Sequence, residues 1–143
     1  MLDKPNTKAD YIDRHSYGGA ATSRDASTPT PTPEVPMNPD LLRGNLELIV
    51  LTILERQPLY GFAIIQEARD RTGGYLDFKE GSLYPALHRM EQDGLLAAQY
   101  GEAGRNGKPR KYYAITDKGR QTLTAKRQEF NTFTQAVTRL AGL

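Results

Sequence analysis

The segment Glu80-Gly-Ser-Leu-Tyr-Pro-Ala-Leu-His-Arg-Met-Glu-Gln-Asp-Gly-Leu-Leu96 decides how the rest of the chain is read. Leu83, Ala86, Leu87 and Met90 recur at helical spacing and make one apolar stripe. Tyr84, His88 and Gln92, at i, i+4 and i+8, fall on the opposite face, flanked by Pro85 and Arg89. The spacing predicts a helix with Ser82 as its N-cap and Asp93-Gly94 as its end, Gly94 standing where a left-handed cap is favoured. Pro85 is tolerated because the first-turn amide groups have no intrahelical acceptor anyway. The exposed face has two readings. It is an ordinary solvated surface, or it offers Tyr84, His88, Arg89 and Gln92 to phosphates and base edges.

Working outward, Leu95–Tyr100 and Lys111–Ile115 read as two strands around a hairpin loop, residues 101–110, with three glycines. Arg105, Lys108, Arg110 and Lys111 put four positive charges into seven residues with no acid between them. A basic hairpin tip of this kind can follow a phosphate backbone and release its counterions; a solvated hairpin is the plainer reading. Tyr100, Tyr112 and Tyr113 are expected to pack beneath this wing, with the Tyr112 hydroxyl, beside Lys111, within reach of a phosphate. Thr116-Asp117 caps a final long helix. Its apolar positions are Leu123, Phe130, Phe133, Val137 and Leu140, the last four spaced 3, 4, 3 as in a heptad seam interrupted at Lys126.

Upstream, Asn38-Pro39-Asp40 opens a helix: Asn caps, Pro fits the first position and Asp suits the positive end of the dipole. It should reach about Gln57, before Pro58. Leu42, Leu46, Ile49, Val50 and Ile53 form its stripe, widened by Leu48, Leu51 and Leu54. Such a wide apolar face needs cover from a partner subunit or from the chain's own core, and both remain open. Tyr60-Gly61-Phe62 begins a second helix to about Arg71, with Phe62, Ile65 and Ala68 inward, and Gly73-Gly74 stops it. Tyr75-Leu76-Asp77-Phe78 alternates like a short strand. Three helices, a hairpin and a long helix make a mainly α chain of winged helix-turn-helix plan. In that plan the third helix enters the major groove and the hairpin touches the backbone or the minor groove.

Composition divides the 143 residues in two. Residues 1–40 contain 11 of the 54 hydrophobic residues, six of the nine prolines and a net charge of −2. Residues 41–143 carry a net charge of +4. The run Ser27-Thr-Pro-Thr-Pro-Thr-Pro-Glu-Val-Pro36 cannot hold a helix and favours an extended form. The expected organisation is a disordered Pro/Thr-rich arm (residues 1–37), a winged helix-turn-helix domain (38–115) and a C-terminal helix (116–143). No apolar run approaches the roughly 20 residues of a membrane helix, and the first 21 residues lack the apolar core of a secretory signal. The simplest compartment is the cytoplasm. With no cysteine, and His88 the only histidine outside the arm, no metal, cofactor or catalytic constellation is expected, and the chain reads as a non-enzyme.

These same segments resemble the PadR family of bacterial transcriptional regulators. The resemblance rests on Leu41-Leu-Arg-Gly-Asn-Leu-Glu-Leu48, Leu59-Tyr-Gly-Phe-Ala-Ile64, the opening segment 80–96, and Gly107-Lys-Pro-Arg-Lys-Tyr-Tyr-Ala-Ile-Thr-Asp-Lys-Gly-Arg120. It covers roughly Met37 to Leu140, and Met37 resembles a usual start of such proteins, so residues 1–36 are either an added arm or an over-long start. The resemblance implies a homodimer that binds a near-palindromic DNA operator and usually represses. It puts the recognition helix on residues 82–93 and the wing on 101–111. The implied DNA contacts are Ser82, Tyr84, Pro85, His88 and Arg89, with Lys108, Arg110 and Lys111 on the wing, joined by Arg105 and Tyr112 from the charge pattern. Dimerisation is implied through the first and last helices, hence Leu46, Ile49, Val50, Ile53, Leu123, Phe130, Phe133, Val137 and Leu140. A single terminal helix is similar to the short subfamily. Some of its members stack flat aromatic drugs on a tryptophan at the dimer interface. This chain has no Trp; Phe130 aligns there, with Phe133 one turn on. The two Phe residues are therefore candidate contacts for a small-molecule effector, or they simply zip the dimer.

Overall fold

The structure, a computed structural model, describes residues 35–104 and 106–143. The expected arm falls outside the described residues except for its last three positions, where Val35 is exposed and Met37 packs partly against the core. Helix α1 spans Pro39–Leu54, with the Asn38 side chain accepting the Asp40 amide at 2.8 Å. It stops short of the expected Gln57. The Glu55 amide bonds Thr52 rather than the carbonyl four residues back, and Pro58 cannot donate.

Strand β1, Leu59–Tyr60, has only two residues, too few for an alternating signal. Helix α2 follows at once, Gly61–Arg71. Its inward arc is Gly61, Ala63, Ile64, Ile65 and Ala68. Phe62, expected inside, is 49% exposed. Tyr60 is held in the sheet and is also the N-cap, so strand pairing sets the helix phase and turns position 62 outward. Residues 75–78 form no strand, because no neighbouring strand pairs with them; Phe78 is nevertheless buried.

Helix α3, Glu80–Gln92, begins earlier than expected: Lys79 is the cap, and its carbonyl accepts the Ser82 and Leu83 amides at 3.0 and 3.1 Å. Ser82 is therefore inside the helix, and Pro85 stands in the second turn, where it withholds an amide from the exposed Gly81. Leu83, Ala86, Leu87 and Met90 are all buried, as the stripe predicts. Gly94 takes φ +80°, and the Leu95 amide returns to Met90 at 2.9 Å, closing the helix.

Strands β2, Leu96–Ala103, and β3, Pro109–Ile115, form the hairpin, with Leu96 opposite Ile115 and a bulge between Tyr100 and Ala103. The strands are longer and the turn shorter than the sequence suggests. β1 adds to the far side of β3, with Leu59 opposite Tyr113 and Tyr60 opposite Tyr112, giving a three-stranded sheet in the order β1-β3-β2.

Helix α4, Asp117–Ala141, starts at Thr116. The Thr116 hydroxyl donates to Gly94 at 2.6 Å and accepts the Gly119 amide at 3.0 Å. One side chain thus fastens the start of α4 to the end of α3. Only Leu123 carries α4 into the core, which is built from Val50, Leu51 and Leu54 of α1, Ile64 of α2, the α3 stripe, Leu96 and Tyr113. Farther along, Arg127 grips Glu55 through two hydrogen bonds of 2.7 and 3.2 Å, which hold the Glu55 carboxyl below its usual range. Lys126, the gap in the seam, pairs with Glu47 at 3.3 Å.

Gly119 leaves no room for a side chain, because an added Cβ would press on the Leu95 carbonyl and come within 2.8 Å of Ile115. Gly119→Ala is expected to cost about 1–3 kcal/mol by overpacking against backbone. A thermal midpoint equal to wild type would show that α4 is not fixed there.

Candidate nucleic-acid interface

Burying one face of α3 leaves the other in solvent. Ser82, Tyr84, Pro85, His88, Arg89 and Gln92 are all exposed, so five of the predicted contacts share one surface. Tyr84 is the best fixed of these. Its ring lies over Gly61 at the start of α2; a Cβ there would sit 2.6 Å from the phenol Cζ. The partial burial raises the Tyr84 pKa, with Glu80 adding to the effect, so the hydroxyl stays a neutral donor and acceptor. Lys79, exposed at the N-terminus of the helix, is a cation that the sequence reading missed, because Ser82 was expected to cap.

The wing departs further from the sequence expectation. Its tip closes through a hydrogen bond of 2.6 Å from the Gly104 amide to Lys108 and one of 3.0 Å from Gly107 to Gly104, with Gly107 at φ +80°. Lys108 is exposed there. Arg105 lies outside the described residues. Lys111 is not a free cation: its ammonium meets Glu91 of α3 at 3.1 Å, and that hydrogen bond raises its pKa against the opposing effect of burial. Arg110 turns inward, its guanidinium carbon 4.3 Å above the Tyr60 ring. Tyr112 is buried beneath Gly101, so the expectation that it reaches a phosphate is corrected. Tyr113 is buried as expected, whereas Tyr100 is 68% exposed rather than packed under the wing. A run of like charges in the sequence does not reveal such pairing, because Glu91 is 20 residues from Lys111.

The predicted dimer face also divides. Leu46, Val50, Ile53 and Leu123 are buried within the chain's own core, which corrects their assignment to a subunit contact. Ile49 is half-buried. Phe130, Phe133, Val137 and Leu140 are exposed along α4. Between α1 and α4 runs a groove of about 320 Å³ lined by Gly44, Asn45, Leu48, Lys126, Glu129, Phe130 and Phe133. Among the described residues no helix is long and apolar enough to cross a membrane, and no cluster of three or more metal-ligating side chains occurs.

A winged helix with an exposed third-helix face defines a class of DNA-binding proteins, and the comparisons narrow it. The family described as the PadR-like transcriptional regulators matches residues 50–125. An uncharacterised protein of Lysinibacillus sphaericus is 38% identical over 85 residues, 59% of this chain and 77% of that protein. A transcriptional regulator from Clostridium thermocellum superposes with a TM-score of 0.64 at 30% identity, covering 70% of this chain and 96% of that one. A PadR family regulator from Eggerthella lenta superposes with a TM-score of 0.62 at 30% identity, covering 89% and 96%. The chain belongs to the PadR family of transcriptional regulators, which are DNA-binding proteins and not enzymes.

The Tyr84–Gly61 contact makes a prediction of its own. Gly61→Ala should push the Tyr84 ring outward while the fold survives, since the displaced atoms are the free end of a side chain. Shifted Tyr84 ring resonances with a near-native melting point are expected. Unchanged resonances would mean that the ring does not rest on Gly61.

Proposed function

We propose that the chain is a cytoplasmic homodimeric repressor that occupies a near-palindromic operator. The observation that carries this reading is the division of α3, with Leu83, Leu87 and Met90 buried and Tyr84, His88 and Arg89 exposed. On this reading Tyr84, His88 and Arg89 face base edges, and Ser82 and Pro85 lie against the backbone. Lys108 meets a phosphate from the wing tip, with Arg105 beside it by its position in the sequence. Repression is steric, since two recognition helices and two wings cover the site.

The dimer uses the part of α4 that the core leaves uncovered. Phe130, Phe133, Val137 and Leu140 repeat along 11 residues, and on this reading the half-buried Ile49 of α1 joins them. A flat apolar effector in that groove, against Phe130 and Phe133, would alter the spacing of the two α3 helices and lower affinity.

Selection of bound duplexes from a random pool should return a two-fold symmetric site. On it, Tyr84→Ala and Arg89→Ala should each cost about 1–3 kcal/mol if they read bases, whereas Lys108→Ala should weaken all sequences alike and flatten the salt dependence by about one unit. Three variants that bind like wild type in a gel shift would sink the assignment. For the dimer, Phe130→Asp should sediment as a monomer; a species that stays dimeric would move the interface off α4.

A further inference from the structure

The Tyr60-Gly61 step touches both elements of the proposed interface. Tyr60 pairs with Tyr112 in the sheet, and its ring meets the Tyr112 ring edge-on, with centroids 5.5 Å apart at 72°. The Arg110 guanidinium lies 4.3 Å over the same Tyr60 ring. The next residue, Gly61, opens α2 and receives the Tyr84 ring from α3. One dipeptide therefore joins the wing strand β3 to the recognition helix.

Arg110 was expected to meet a phosphate, but its side chain is directed the other way. Its Nη1 is buried, as is the hydroxyl of the neighbouring Tyr112; burial raises the Tyr112 pKa, and the interaction with Arg110 opposes that rise. A guanidinium in contact with DNA would present its donors to solvent. Arg110 instead lays its planar face on an aromatic ring, an arrangement that a lysine reproduces poorly. The location explains the need. β1 contributes only two residues to the sheet, so little backbone pairing holds β3, and with it the wing, to the body of the domain on this side.

We propose that Arg110 is a positioning residue: stacked on Tyr60, it fixes the angle of the wing against the recognition helix and does not itself contact the DNA backbone. This inference rests on the DNA-binding reading above and assigns a different role to one of its expected contacts. A contact residue acts through its charge, so lysine would replace it. A positioning residue acts through its planar stack, so lysine would not.

The experiment measures affinity for the selected operator duplex as a function of salt, for the full chain and the variants Arg110→Lys, Arg110→Ala, Tyr60→Phe and Tyr60→Leu. Arg110→Lys and Arg110→Ala are expected to weaken binding alike, by roughly 3–30-fold, the range of a partly desolvated cation–π contact. The slope of log affinity on log salt should stay at the wild-type value in Arg110→Ala, whereas Lys108→Ala reduces it. Tyr60→Phe, which keeps the ring, should bind like wild type. Tyr60→Leu should weaken binding, and adding Arg110→Ala to it should cost nothing more. If Tyr60→Leu fails to fold, the comparison of the lysine and alanine variants of Arg110 still decides. Full rescue by Arg110→Lys, or a slope lowered by about one unit in Arg110→Ala, overturns the positioning role and leaves the regulator intact. A wild-type chain that binds no duplex overturns both.

Discussion

Burial of the α3 stripe is the constraint on which the rest of the structure depends. Leu83, Leu87 and Met90 have no exposed surface, and they meet Val50, Leu51 and Leu54 of α1 and Ile64 of α2, which are equally enclosed. A buried aliphatic side chain of this size contributes about 1.5–3 kcal/mol, so the helix cannot rotate about its axis without losing several such contributions. Because the helix is locked in rotation, the direction of Tyr84, His88 and Arg89 is locked as well. The exposed surface proposed to meet DNA is thus a consequence of the core.

A second set of constraints ties the two ends of α3 to other elements. At its start, Tyr84 rests on Gly61, the first residue of α2. At its end, Lys118 of α4 donates to the Asp93 carbonyl at 2.7 Å, the Thr116 hydroxyl bonds Gly94, and Glu91 holds Lys111 of β3. These contacts are individually modest, and the exposed ion pairs least of all. Their value lies in geometry: they connect α3 to the wing on one side and to α4 on the other. A displacement of α4 would therefore reach α3 through Thr116 and Lys118.

Helix α4 has two unlike parts. Near its start, Gly119 and Leu123 are packed against the domain. Beyond Arg127 the helix carries exposed Phe130, Phe133, Val137 and Leu140, at 40–89% exposure. Exposed apolar side chains in a repeat this long mark a surface that seeks cover. The first helix leaves less uncovered: Leu46, Val50 and Ile53 lie in the core, Leu48 and Ile49 are half-buried, and Leu41 is exposed. Most of the apolar width of α1 is thus covered by the chain's own core.

Local signals were enough for the helices, the hairpin and the exposed face of α3. Asn38 and Thr116 cap as their chemistry requires, Gly94 takes the left-handed turn, and the period of Leu83, Ala86, Leu87 and Met90 fixes which face is inside. Segments 41–48, 59–64, 80–96 and 107–120 also carried the family resemblance. What the sequence did not disclose depends on residues far apart in the chain. Strand β1 exists because Tyr60 meets Tyr112, and that pairing turns Phe62 outward. Lys111 is neutralised by Glu91 and Arg110 is drawn onto Tyr60, so the basic run at the wing presents fewer free charges than its composition suggests. Periodicity reports the local environment of a helix face; the partner of a charge or of a two-residue strand is set by folding, which brings together groups separated by 20 to 52 residues.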